Sequence, residues 1–587
     1  MLKEGIYGIY FGKSPEVKDM FDLNLKFDEI IKKYLPNKYE SGNNDLVYSK
    51  VYAILREKCL NKNVAMWGVG DINNISQTYV AKFLEVFADS LQNTKCVIDA
   101  RKELEGKKIL GLPIITASEI AKYDIDIILI TSYRSRKFIA KELKLHHPDI
   151  TYLDVYEELE KTGLPSDVDI FSDNDKYIDL YDQRMKYNNA VTIEDKKEQF
   201  DKLLLMYADI KDIYYMCKMI DECEITDLIY RDKLDHLKKE LLNLLETIRN
   251  NIYNRKDIIV WFQDAFRNID WYDSEKKQFK MLNNLSEKSV CFVNSFSTAP
   301  VTYESVYSII TGKLPFEGDV YDSAFKFDVE QFEFLNMAVQ HGYNIEFYTD
   351  ESFDIFNPNK KLSTHYKKYV SEIIWAILNK MCDQHDKSAL HFTYALKELH
   401  VPFMCGYFSD KPVKTIFSKM GLEDEQTNWK DIKRQFNDCL NYVNEELESF
   451  FGLLGEESSI IVFSDHAHIV YDQYENKPFY LYYDNVEKSV KNVFMIYNKK
   501  WKPEIHNELV SMIDFNEIAC QIYEKDSFEL PNRKEVYWQY YPIYNKTIRE
   551  NAAFFNGEDY IDGIECCYDG DVVKVSTPHS IKQIKKV

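Results

Sequence analysis

Residues 460–468 read Ile460-Ile-Val-Phe463-Ser464-Asp465-His466-Ala467-His468, an apolar run that passes without a break into a carboxylate and an imidazole. A short apolar run of this kind predicts a strand. Two other segments share the design. Asp257-Ile-Ile-Val-Trp-Phe-Gln263-Asp264 is a strand that ends in a carboxylate. Val290-Cys-Phe-Val293 is a strand that leads into Phe296-Ser-Thr-Ala-Pro-Val-Thr302-Tyr-Glu-Ser305. Helical patterns lie between them, so the expected class is α/β. In open sheets of that class the carboxyl ends of the strands gather at the binding crevice. Asp264, Asp465 and His466 brought together there make an oxygen and nitrogen ligand set. It suits one divalent metal, zinc or manganese ahead of magnesium. Thr302 offers a hydroxyl, which is weak at its free pKa and is activated by metal coordination. It stands just before an expected helix, Glu304–Ile310, whose N-terminus favours a phosphate or sulfate group.

Outward from these segments the chain divides by pattern. Upstream, Val64-Ala-Met-Trp-Gly68-Val-Gly70 runs a strand into a Gly-x-Gly turn, with a helix expected over 75–90. Strands Lys95–Ile98, ending at Asp99, and Asp124–Ile130 follow. Residues 61–158 therefore read as a small Rossmann-like domain. Gly68 and Gly70 stand where a nucleotide phosphate meets a helix N-terminus, and Asp99 where a ribose-binding acid lies. The third glycine of that fingerprint is replaced by Asn73, and Asp99 comes later than the usual ~20 residues. Both departures leave open a Rossmann-shaped module that binds no nucleotide. The stretch from Val64 to Pro113 resembles nucleotide-binding-like domains attached to bacterial polysaccharide-modifying enzymes. Residues 1–60 are read as an N-terminal extension with a helix Leu46–Cys59. Residues 159–255 are a helical connector, with apolar stripes such as Leu234, Leu237, Leu241 and Leu244 at core spacing. Residues 256–525 form the larger α/β domain, and 526–587 a small C-terminal appendage.

Composition excludes several classes. The 587-residue chain has 74 Lys+Arg against 96 Asp+Glu, a formal net charge of −22. That balance argues against nucleic acid or an anionic membrane as the partner of the whole chain. The basic end at Lys582, Lys585 and Lys586 is expected to be solvated. No apolar run approaches the ~20 residues of a membrane helix. The start MLKEGIYGIYFGKS lacks a basic, then apolar, leader pattern. The 11 cysteines show no CxxC spacing, so reduced thiols are expected. Together these readings place the protein in the cytosol, at most peripheral to the inner membrane face.

Residues 255–525 resemble the sulfatase-like branch of the alkaline phosphatase superfamily. Sulfatases carry a Cys or Ser nucleophile, then a Ser three residues later, then Thr-Gly nine and ten residues on. Here Ser305 and Thr311-Gly312 hold those places relative to Thr302. Ser464-Asp465-His466 matches the family's Ser-Asp-His-Gly, with Ala467 for the glycine. His400-Val-Pro402-Phe403 is similar to its His-x-Pro-aromatic turn, and Gln435–Gly452 to the helix before the metal-binding strand. The resemblance implies metal ligation by Asp264, Thr302, Asp465 and His466, and His400 at the leaving oxygen. It makes Ser305, His468 and Asp350 candidate substrate contacts; His341, His391 and Lys397 are weaker ones. Threonine cannot become the formylglycine that sulfate ester hydrolysis needs. Thr302 instead resembles the nucleophile of phosphoethanolamine transferases, lipoteichoic acid synthases and nucleotide pyrophosphatases; the transferases carry Glu where Asp264 stands. No Asp-x-x-x-His follows Gly312 before Asp465, so one metal is expected. The function implied is a phosphotransferase that moves a substituted phosphoryl group, phosphoethanolamine- or phosphoglycerol-like, from a small or lipid-linked donor to an alcohol, such as one on a glycan. A phosphodiesterase or phosphatase of the same superfamily, and a catalytically dead nucleotide-binding scaffold, are the alternatives.

Overall fold

The computed structural model describes residues 22–35, 43–69, 78–132, 135–161, 175–272, 279–318, 326–357, 359–383, 387–400, 402–413, 429–467, 489–540, 563–576 and 581–585. Gly70, Asn73 and His468 lie outside the described residues. The chain forms two compact units, Tyr39–Asp179 and Met1–Lys38 with Leu180–Val587.

The smaller unit holds strands β1 (Val64–Trp67), β2 (Thr94–Ile98), β3 (Lys108–Ile109), β4 (Leu112–Ile115), β5 (Ile127–Ile130) and β6 (Tyr152–Asp154). They form one sheet in the order β3-β4-β2-β1-β5-β6. All pairs are parallel except β3 with β4. β1 and β5 are buried along their whole length, as their unbroken apolar runs require.

The larger unit carries β7 (Ile258–Gln263), β8 (Val290–Phe292), β9 (Ser295–Phe296), β10 (Asn344–Thr349), β11 (Leu362–Tyr366), β12 (Ala389–Ala395), β13 (Ser459–Phe463), β14 (Phe494–Tyr497), β15 (Glu504–His506) and β16 (Val510–Ser511). Eight of them make one mixed sheet, β11-β10-β12-β7-β13-β14-β8-β15. The half from β11 to β13 is parallel, and β14 runs against both β13 and β8. Alternate residues point to opposite faces. Ile258, Val260 and Phe262 join Phe392, Tyr394 and Phe463 in the core beneath the helices Thr302–Thr311 and Glu333–Gln340. Trp261 faces the other way and packs on Phe450 of the helix Trp429–Leu453.

β17 (Val536–Tyr540), β18 (Ile564–Tyr568), β19 (Val572–Ser576) and β20 (Ile581–Lys585) form an antiparallel sheet within the segment read as a C-terminal appendage. Trp538 stacks on Phe296 at 6.2 Å, which ties this sheet to the loop before Thr302.

The expected extension 1–60 is divided between the units. Helix Leu23–Tyr34 buries Leu23 and Phe27, and Phe27 meets Trp375 at 5.0 Å in the larger unit. Helix Asn43–Cys59 buries Val51 and Leu55 against the smaller sheet. The helices Ile193–Asp209, Ile213–Glu222 and Leu228–Ile252 belong to the larger unit. Asp212 caps the second of them through Tyr215 N and accepts the Tyr442 hydroxyl at 2.6 Å, while the Tyr207 hydroxyl donates to Gly406 O at 2.8 Å.

Candidate metal and nucleophile site

Parallel pairing of β7 with β13 sets Phe262 opposite Phe463. The residues that follow each strand therefore leave the sheet side by side. Ala265, at φ 59°, turns the chain directly after Asp264. That turn lets Ala265 N donate to Asp465 Oδ1 at 3.3 Å and Phe266 N to Ser464 Oγ at 2.8 Å. Ser464 Oγ in turn donates to His466 O at 2.6 Å. Asp264 and Asp465 are both fully buried, and His466 is 3% exposed.

Thr302 is the first residue of helix Thr302–Thr311, which begins two residues earlier than expected. Its Oγ1 lies 3.3 Å from Asp264 Oδ2 and 3.3 Å from His466 Nε2. His466 Nε2 is 3.5 Å from Asp465 Oδ2. A hydrogen on His466 Nδ1 meets Ala467 O at 3.0 Å, which leaves a lone pair on Nε2, aimed into the cluster. Two carboxylate oxygens here, Asp264 Oδ1 and Asp465 Oδ2, are buried without a hydrogen-bond partner. Burial, and then the neighbouring Asp465, push the Asp264 carboxyl up to about 8. Two buried acids with bare oxygens and an imidazole lone pair fit a divalent cation, which would neutralise the repulsion and fill the bare lone pairs. One ligand atom from each of Asp264, Asp465 and His466 lies within 4.8 Å of the others, and among the described residues this is the one such group of three.

The loop before Thr302 is held from within. Ser305 is fully buried, and its hydroxyl lies 2.8 Å from Ala299 O, 2.9 Å from Val301 O and 2.8 Å from Ser297 Oγ. These bonds hold the Thr302 loop in shape. His400 sits half-buried in the turn after β12, where its N–H donates to Leu396 O at 3.2 Å and its carbonyl accepts Phe403 N at 2.8 Å. Asp350 follows β10 at the same sheet edge as Asp264, and its carbonyl accepts Phe353 N at 2.9 Å. His391 is different. It lies fully buried on β12, bonded to the Tyr348 hydroxyl at 3.0 Å, well before the strand's carboxyl end. His341 is exposed at the amino end of β10, stacked on Tyr523. Neither belongs to the cluster.

In the smaller unit Gly68 has φ 118°, and a Cβ there would come within 2.7 Å of Ser132 Cβ. The Asp99 carboxylate is already engaged. Arg101 Nε and Nη2 reach it at 2.8 and 3.0 Å, and Val69 N at 3.2 Å. An acid so paired braces the turn after β1, so the expected ribose contact is not supported by its geometry.

One residue of the cluster escaped the sequence reading. Tyr394, on β12, donates its hydroxyl to Asp264 Oδ2 at 3.0 Å. Burial and that carboxylate raise its phenol well above the ordinary tyrosine range, so it stays a donor. Its one signal in the sequence was its place next to the last residue of an apolar strand.

Comparison with known proteins bears on both units. Residues 256–518 match the sulfatase family model, and residues 60–147 match a family described as C2185-like, N-terminal. No curated protein matches the chain. Solved structures overlay loosely on it. One, in complex with its substrate D-glucosamine-2-N,6-O-disulfate, is 11% identical with a TM-score of 0.42 over 57% of this chain and 91% of its own. The phosphonate monoester hydrolase of Silicibacter pomeroyi is 10% identical with a TM-score of 0.40, over 56% and 88%. An alkaline phosphatase superfamily protein from Vibrio parahaemolyticus is 12% identical with a TM-score of 0.38, over 58% and 87%. Residues 256–518 form a sulfatase-like domain, and the protein is an enzyme of the sulfate or phosphoric ester type.

Proposed function

We propose that this sulfatase-like domain is a phosphotransferase that works through Thr302 and moves a substituted phosphoryl group to an alcohol. The observation that carries the reading is the Thr302 hydroxyl, 3.3 Å from both Asp264 Oδ2 and His466 Nε2 and beside two bare buried carboxylate oxygens. Asp264, Asp465 and His466 would hold one zinc or manganese ion, with Thr302 Oγ1 as the fourth donor. When bound, the ion lowers the pKa of the hydroxyl and neutralises charge on the phosphoryl oxygens.

The chain's own groups supply the rest. The Thr302 hydrogen is directed at Asp264 Oδ2, which leaves an oxygen lone pair for attack on phosphorus. The helix that Thr302 begins places its N-terminal dipole at the phosphoryl oxygens. In the first half-reaction Thr302 Oγ1 would pass its proton to Asp264 Oδ2 as the Oγ–P bond forms and the bond from phosphorus to the donor's oxygen breaks. His400 gives that oxygen its proton and becomes the base for the next step. In the second, an alcohol gives its proton to His400, its oxygen bonds to phosphorus, the Oγ–P bond breaks, and Thr302 Oγ1 recovers its proton from Asp264 Oδ2. A phosphoethanolamine- or phosphoglycerol-like group and a glycan acceptor are the classes favoured by the resemblance to threonine-nucleophile transferases. Water as acceptor would give a phosphodiesterase with the same intermediate.

The test is metal content of the purified protein, with bis-p-nitrophenyl phosphate turnover and mass spectrometry of acid-quenched enzyme. About one zinc or manganese per chain, and a phosphoryl adduct on the peptide holding Thr302, are expected. Asp465→Asn should lose both. Absence of any adduct during turnover would sink the covalent reading. A product that rises with added alcohol at the expense of hydrolysis identifies a transferase.

A further inference from the structure

Asp264 has two unlike oxygens. Oδ2 receives the Tyr394 hydroxyl at 3.0 Å and the Thr302 hydroxyl at 3.3 Å, whereas Oδ1 is buried with no hydrogen-bond partner. Tyr394 is itself immobilised. It is fully buried, stacked on Phe262 at 4.3 Å and 18°, and met edge-on by Phe353 at 5.7 Å and 83°. Parallel pairing of β12 with β7 puts it opposite Phe262, two residues before Asp264. The hydroxyl thus comes from a rigid strand, on a ring that has no freedom to swing.

We propose that Tyr394 is a positioning residue of the metal site: its hydroxyl occupies Asp264 Oδ2 and turns Oδ1 alone toward the cation. The carboxylate then ligates through one oxygen, and Oδ2 stays available to the Thr302 hydrogen. This rests on the metal-site reading above. Partners that hold a ligating carboxylate commonly carry 10–100-fold in metal affinity or activity. Phenylalanine keeps the ring and its packing and removes only the donor.

The experiment measures zinc and manganese affinity by competition with a chromophoric chelator, for wild type, Tyr394→Phe and Asp465→Asn. It adds kcat and KM on bis-p-nitrophenyl phosphate and the thermal midpoint of each metal-free protein. Tyr394→Phe is expected to weaken metal binding about 10–100-fold and to lower kcat at saturating metal, with KM unchanged and the metal-free midpoint within a few degrees of wild type. Wild-type affinity in Tyr394→Phe would overturn the inference while the metal site stood. A collapsed metal-free midpoint would overturn it too, by making the hydroxyl structural. A wild-type protein that binds neither ion would instead remove the metal-site reading, and this inference with it.

Discussion

Replacing Thr302 with valine separates the nucleophile from the scaffold. Valine swaps the hydroxyl for a methyl of similar size, so shape is kept. The hydrogen bond lost, from Thr302 Oγ1 to Asp264 Oδ2, is 3.3 Å long, beyond the usual 2.5–3.0 Å for hydroxyl donors, and sits at the low end of about 0.5–1.5 kcal/mol. Asp264 Oδ2 keeps the Tyr394 hydroxyl at 3.0 Å, so no buried oxygen of that carboxylate is newly stripped of all donors. The expected stability cost is about 1 kcal/mol, a shift in thermal midpoint of no more than about 4 °C. The expected kinetic cost is far larger. Under the proposed mechanism the oxygen is the nucleophile, so its removal should bring a loss of at least ~10⁴-fold, about 5.5 kcal/mol of barrier. Thr302→Ser is the counterpart. It keeps the oxygen, but a serine samples three staggered wells where a helical threonine uses two, so turnover should stay within about tenfold. The assay is bis-p-nitrophenyl phosphate turnover with zinc or manganese, alongside metal content and the quenched adduct. A valine variant within tenfold of wild type at equal metal content would refute the reasoning. So would a serine variant as inactive as valine with its metal still bound.

Two further outcomes follow from groups away from the cluster. Burial lowers His391 from 6.5 to about 4, so between those values the unfolded chain binds a proton that the folded chain refuses. Stability should therefore rise with pH through that window and be lost as pH falls, by up to about 3 kcal/mol at ~1.4 kcal/mol per pH unit. His391→Gln should flatten that part of a urea-midpoint profile against pH, and an unchanged slope would show that His391 is not its source. In the smaller unit, Gly68→Ala meets both a φ of 118° and a 2.7 Å approach to Ser132 Cβ, and should cost more than about 2 kcal/mol. Hydrogen exchange should speed up in β1 and β5 and stay unchanged in β7 and β13; equal protection of β1 in both proteins would count against the strain.

The apolar runs at Ile258–Phe262 and Ile460–Phe463 were legible because strand burial imprints a local pattern, and covalent adjacency then placed Asp264, Asp465 and His466 at strand ends. The helix after Thr302 was legible in the same way. The internal bonds of Ser305 and Asp99 were not legible, because spacing says where a polar group stands but not what it bonds. The Ser305 hydroxyl is spent on the carbonyls of its own loop, and Asp99 on Arg101. The mixed order of the large sheet, in which β14 pairs antiparallel to β13, is a long-range pairing that no single apolar run announces.

The sequence by itself determined the α/β class, the strand ends that carry Asp264, Asp465 and His466, and the helix that follows Thr302, all properties of neighbouring residues. Tertiary structure alone decided that the helix at Leu23–Tyr34 joins the larger unit, and that Ala265 turns so as to seat Asp264 beside Asp465. It alone placed the Tyr394 hydroxyl on Asp264 Oδ2, a contact between residues 130 apart in the chain. Such a bond depends on sheet order and register, which are set when many weak apolar contacts close together, and no short stretch of residues carries that information.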